Sequence, residues 1–254
     1  MNPKRLIHNL LKLDIKGRSI QVDPIPLTVP GLPTAFHLAR VAVVADLHLP
    51  DQLMAIPRLL RCLALQKPDA IFLPGDLTNR YTDFDAEGLR TLADGLTAIA
   101  PCFAVPGNHE LKSDHEPDYR RILTDAGVHY LFDSYAIWEK DGATLPLYGM
   151  ARRRPPAPQG DGPHLMLAHH PEYMPLYRHA GWDIVVSGHA HGGHVRVGSA
   201  ALYAPGQGFL PQYTHGVYTE EGTRLVVSRG LGNSSLPWRV GNPPHLPLLV
   251  LSAK

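Results

Sequence analysis

Val41-Ala42-Val43-Val44-Ala45-Asp46-Leu47-His48 is the stretch on which the fold turns. A short apolar run, rich in β-branched residues, ends on an acid and a histidine, and a helical pattern follows over about residues 52–65. The arrangement recurs twice. Residues 70–73 run into Gly75-Asp76, with a helix expected over about 84–99 and Asp83 as its N-cap. Residues 102–105 run into Gly107-Asn108-His109-Glu110, with a helix expected over about 117–125 and closed by Gly127. Apolar strands alternating with helices predict parallel βαβ units. Ligands of such sheets bind beyond the carboxyl ends of the strands, so Asp46, Asp76 and Asn108 are expected to meet there.

Working outward, Pro24, Pro26, Pro30 and Pro33 predict an extended segment or edge strand before this core. Residues 1–36 read as a basic amphipathic and Pro-rich lead-in, and 37–254 as a single domain. Downstream, 135–139 and 145–150 flank Asp141-Gly142 as a hairpin, and 155–162 form a Pro- and Gly-rich loop. Residues 165–168 and 184–187 are short strands that each run into histidines, and further strands are expected at 195–197, 217–219, 225–227 and 248–251. The fold class is α/β, with a second mixed sheet packed on the first and helices outside.

The chain has 254 residues, 44% of them hydrophobic and 19% charged, enough to bury a core. Its 24 basic and 23 acidic residues leave a formal charge of +1, so no global basic field points to nucleic acid. Cys62 and Cys102 cannot form a disulfide framework and read as core residues. No apolar run reaches membrane-spanning length, and no secretory signal opens the chain, so a cytoplasmic location is expected. Leu6, Ile7, Leu10, Leu11 and Leu13 recur at roughly helical spacing within the basic stretch 4–18. That stretch either packs on the domain or makes peripheral contact with an anionic membrane surface.

Five clusters carry chemistry: Asp46-Leu47-His48, Gly75-Asp76, Gly107-Asn108-His109-Glu110, His169-His170-Pro171 and Gly188-His189-Ala190-His191-Gly192-Gly193. Carboxylate, carboxamide and imidazole suit Mn, Fe, Zn or Mg better than a thiolate-seeking metal. The ordered set resembles the calcineurin-like metallophosphoesterase superfamily, from about residue 40 to the C-terminus. Val227-Ser228-Arg229-Gly230-Leu231-Gly232 and Gly241-Asn242-Pro243-Pro244 resemble its bacterial, membrane-associated, phosphodiesterase-like branch.

The resemblance implies a four-layer αββα sandwich of two mixed sheets flanked by helices. It implies two divalent metal ions, manganese by analogy. One would be held by Asp46, His48 and His191, the other by Asn108, His169 and His189, with Asp76 bridging. A metal-bridging hydroxide would attack a phosphodiester or pyrophosphate-linked substrate, a small molecule or a lipid-linked phosphate. His109 would contact the phosphate and leaving oxygen as acid or orienting donor. A phosphomonoesterase acting on a small metabolite is the alternative, and a non-catalytic scaffold a second one.

Other residues are open to two readings. Arg80 is either a phosphate clamp or a solvated loop arginine. Glu110 either supports the site or is a surface acid at a helix start. His170, adjacent to His169, is expected to be structural or at the rim, because neighbours on a strand face opposite ways. His194 either reaches the substrate or, at a strand start, is exposed. Arg152, Arg153 and Arg154 form either a solvated face or a flank that receives a diphosphate or anionic headgroup. Tyr203, Phe209, Tyr213 and Trp238 either line a pocket or pack in the core.

Overall fold

The computed structural model describes residues 20–198, 200–233 and 239–253. The first sheet has the order β1 (Gln21–Val29), β16 (His245–Ala253), β2 (Arg40–Val43), β3 (Ala70–Leu73), β4 (Cys102–Ala104), β5 (His129–Tyr130). β2 to β5 are parallel, β16 runs antiparallel to β2, and β1 lies parallel to β16 at the edge. The second sheet has the order β14 (Gly216–Glu220), β15 (Thr223–Val227), β9 (Ile184–Ser187), β8 (Leu165–Ala168), β7 (Ala143–Met150), β6 (Ser134–Lys140). Its four central strands are parallel, and antiparallel partners close both edges.

Side-chain alternation makes these sheets a sandwich. On β2 and β3, Val41, Val43, Ala70 and Phe72 face the second sheet, where they meet Trp138, Leu165, Leu167 and Ile184. Ala42, Ile71 and Leu73 face the other way, onto helices α1 (Ile56–Gln66), α2 (Ala86–Thr97) and α4 (Glu116–Asp125). On the far side of the second sheet, Met166, Ala168 and Val185 pack with Met174 and Tyr177 of α5 (Met174–Ala180). The four layers expected from the sequence are therefore present. Each helix buries one stripe, such as Leu89, Leu92, Ala93 and Leu96 on α2, and leaves its polar face in water.

Two expectations are corrected. The lead-in boundary at residue 37 cuts through the domain, because β1 pairs along nine residues with β16, and Leu27, Val29 and Phe36 belong to the inter-sheet core. Proline is tolerated in β1 because it is an edge strand. The cap of α2 is Asp85 and not Asp83, its carboxylate accepting the Gly88 N–H at 2.8 Å. Cys102 is buried and Cys62 half-buried, both against the helix-side core. Among the described residues no helix is long and apolar enough to cross a membrane. The basic stretch 4–18 and Trp238 lie outside the described residues.

Candidate metal centre

Every strand that ends at this site is a central parallel strand, so all the chain exits lie at one end of the sandwich. β2 delivers Asp46 and His48, β3 Asp76, and β4 leads into Asn108 and His109 on the short helix α3 (Asn108–Leu111). From the second sheet, β8 delivers His169, and β9 delivers His189 and His191. Asp46, His48, Asp76, His189 and His191 have φ of 52°, 56°, 54°, 66° and 47°. Left-handed backbone is uncommon for such residues and concentrates at functional sites.

Four overlapping donor groups result among the described residues: Asp46 with His48 and His191, His48 with Asp76 and His109, Asp76 with His169 and His189, and, half-buried toward the rim, His170 with Glu172 and His189. The ligand atoms within each group lie within 4.8 Å of one another. His48 Nε2 stands 3.1 Å from His191 Nε2, and His189 Nδ1 stands 3.1 Å from His169 Nε2. Two nitrogens each about 2.0–2.1 Å from one ion, and at right angles about it, would be about 3 Å apart. Asn108 borders the same cleft as Asp76, His109, His189 and His191. Its Oδ1 is shut from solvent and has no hydrogen-bond partner among the described residues. A buried acceptor with nothing to accept suits a cation or an ordered water, and beside these carboxylates and imidazoles a cation completes the donor set. The residues therefore fit a divalent metal.

Hydrogen bonds fix these donors. His169 Nδ1 donates to the Pro74 carbonyl at 2.7 Å, which turns Nε2 toward Asp76 Oδ2, 3.1 Å away. The His109 N–H donates to Asp76 Oδ1 at 2.8 Å. The His189 N–H donates to both Asp46 oxygens, at 3.0 and 3.1 Å. Glu110 is not a surface acid. It is 1% exposed and accepts from the N–H groups of Asp76, Thr78 and Gly107 and from the Thr78 hydroxyl, all at 2.8–2.9 Å. It thereby ties the loop after β3 to the loop after β4.

The electrostatics match the donor set. Burial holds His48 neutral, lowering its pKa to about 3, and drives His189 and His191 well below the usual imidazole range. Burial also pushes Asp46 up to about 7. His169 is pulled down by burial, but Asp76, Asp46 and the Pro74 carbonyl together raise it to about 10. Two buried carboxylates thus recruit whatever positive charge is at hand, beside imidazoles that offer lone pairs.

The remaining candidates separate. Arg80 donates its backbone N–H to His109 Nδ1 at 3.2 Å, while its guanidinium lies 4.5 Å from the centroid of the Tyr81 ring. His170 lies past the end of β8, where strand alternation no longer applies. Its Nδ1 is 2.9 Å from Glu172 Oε1, and its ring packs on His189 with centroids 4.3 Å apart. His194 is 2% exposed and stacks on His191, so the expectation of exposure fails. Tyr213 is a core residue, whereas Tyr203 and Phe209 are exposed on the β12 (Tyr203–Ala204) to β13 (Gly208–Phe209) hairpin. The sequence reading gave no role to Glu172, Arg239 or Asn242. Arg239 Nη2 donates to His191 Nδ1 at 3.4 Å, and Asn242 Nδ2 donates to the His191 carbonyl at 2.7 Å. Only the Gly241-Asn242 motif could have signalled either.

Residues 39–193, which include all seven metal-ligand candidates, match the calcineurin-like phosphoesterase family. The chain belongs to that family. It is a metal-dependent phosphoester hydrolase. This phosphoesterase is 27% identical over 209 residues to phosphodiesterase YaeI of Escherichia coli, covering 76% of the chain and 75% of the relative. It is 25% identical over 248 residues to the metallophosphoesterase YkoQ of Bacillus subtilis, covering 92% and 89%. The sulfate thiohydrolase SoxB of Thermus thermophilus superposes with a TM-score of 0.50 at 12% identity, over 87% of the chain and 57% of that protein, which shows the fold alone.

Proposed function

We propose that this phosphoesterase uses two metal ions to hydrolyse a phosphodiester or pyrophosphate-linked substrate, within one catalytic domain. The observation that supports this most is the position of Asp76. It shares one donor group with His48 and another with His169 and His189. Asp46, His48 and His191 would hold one ion, Asn108, His169 and His189 the other, and Asp76 both. Manganese is our assignment, with Fe, Zn or Mg compatible with the same oxygens and imidazoles. Bound there, two cations would neutralise the phosphoester oxygens and lower the pKa of a coordinated water toward neutrality.

His109 is placed to act on the substrate. Its Nδ1 accepts the Arg80 N–H, so the neutral ring carries its proton on Nε2. Burial lowers its pKa further, which favours the neutral ring. Its role is then an N–H donor to the phosphoryl or leaving oxygen and not a standing imidazolium. Arg80 is assigned to the phosphate from the neighbouring Tyr81 side of the same cleft. The preference for a diester rests on the branch resemblance and on the similarity to YaeI, which is named a phosphodiesterase.

The test is chelator-treated protein reloaded with single metals and assayed on bis-p-nitrophenyl phosphate and p-nitrophenyl phosphate. Diester turnover should exceed monoester turnover, with manganese restoring the most. Asp76→Asn should lose bound metal and at least about a hundredfold in rate. A monoester preference would overturn the substrate assignment, and full activity in the variant would overturn the shared carboxylate.

A further inference from the structure

Beyond Asn108 and His169 the cleft opens into a second cavity of about 230 Å³. Lys112 lines it from the chain after β4, and Arg152 and Arg153 line it from the chain after β7. No carboxylate is among its lining residues. Two acids on neighbouring stretches of chain have partners of their own. Asp133 accepts the N–H groups of Ala151 and Arg152 at 2.9 and 3.1 Å and lies 3.5 Å from Arg152 Nε, and Glu172 is held by His170.

The two guanidiniums are set in place by aromatic rings. Arg153 lies over Tyr173, 4.6 Å from its centroid, and Arg152 over Phe132 at 5.1 Å. Stacking uses the face of a guanidinium and leaves its N–H edge free, the edge that grips two phosphate oxygens at once. Among the described residues neither Arg153 nor Lys112 has an ion-pair partner.

We propose that this cavity is a second anion subsite that takes the phosphoryl group next to the scissile one in a diphosphate-bridged substrate. The inference rests on reading the adjoining donor cluster as the hydrolytic centre. Asn108 borders both spaces, so two phosphoryl groups joined by one oxygen would occupy neighbouring sites. A substrate with a neutral second arm leaves Lys112 and Arg153 in water and Arg152 on Asp133, and gains nothing from them. One with a second phosphoryl gains charge-assisted hydrogen bonds from a prearranged wall. The subsite thereby selects among phosphoesters that the metal centre alone would treat alike.

Calorimetric titration of the full-length, metal-loaded protein with AMP and ADP tests this, since the two probes differ by one phosphoryl. ADP should bind at least about tenfold tighter than AMP, the worth of one or two charge-assisted hydrogen bonds. In the Lys112→Gln/Arg153→Gln double variant that advantage should shrink to less than about threefold, and raised salt should erode it in the wild type. Both side chains are exposed, so an unchanged thermal transition certifies the variant's fold. Equal affinities in the wild type, or an advantage that survives the double substitution, would overturn the subsite. Protein that prefers ADP in this way yet hydrolyses no phosphoester would contradict the hydrolytic reading and leave the subsite standing.

Discussion

Each acceptor lone pair of Glu110 faces a donor that would otherwise be stranded in the interior between the loops after β3 and β4. Glu110→Gln turns part of that acceptor into an amide N–H pointing at N–H groups. Leaving one or two buried donors unpaired should cost about 3 kcal/mol. Urea denaturation of the metal-free protein measures this, and an unchanged midpoint would show that the carboxylate carries no structural load. At this scale the ligand types were legible because each follows an apolar run that ends at the same edge. The left-handed backbone at Asp46, His48 and Asp76 was not, since residue type does not reveal φ. Arg239 and Asn242 were missed because they reach His191 from the last loop, with no strand end to mark them.

Between elements, the loops after β3 and β4 cross so closely that only glycine fits. A Cβ on Gly107 would collide with Asp76 Oδ1, and one on Gly75, at φ 94°, would lie 2.5 Å from the Gly107 nitrogen and 2.9 Å from His169 Nδ1. Gly107→Ala should therefore push Asp76 off its position. Metal affinity should fall by about ten- to a hundredfold, as when the support of a metal ligand is removed, while circular dichroism stays native. Wild-type metal affinity in this variant would mean that the crossing has slack. The three βα units were readable because their strands and helices span enough residues to show a period. β5 and the β12–β13 hairpin have strands of two residues each, too short to show one.

Across the whole molecule, the two ends of the described chain meet in the first sheet, and a buried histidine sits at their junction. His245, 0% exposed, opens β16, accepts the Arg229 N–H on Nδ1 at 3.2 Å, and places Nε2 3.2 Å from Asp23 Oδ2 of β1. Burial, reinforced by Arg229, lowers its pKa to about 3. The unfolded chain takes up a proton near pH 6.5, so the folded state has its full advantage above that pH and loses it as the pH falls toward 3. The loss should be about 2 kcal/mol by pH 5. His245→Gln should flatten the fall in stability between pH 7 and pH 5, and an unaltered slope would place the acid sensitivity elsewhere. The two-sheet sandwich was legible from strand alternation, but the joining of β1 to β16 was not, because parallel pairing of distant segments leaves no local mark.

The centre itself is tested most directly by anomalous diffraction from crystals of the manganese-loaded protein. Two peaks about 3.5–4 Å apart, one beside Asp46, His48 and His191 and the other beside Asn108, His169 and His189, with Asp76 touching both, are the expected result. A single peak, or metal bound without Asp76, would contradict it.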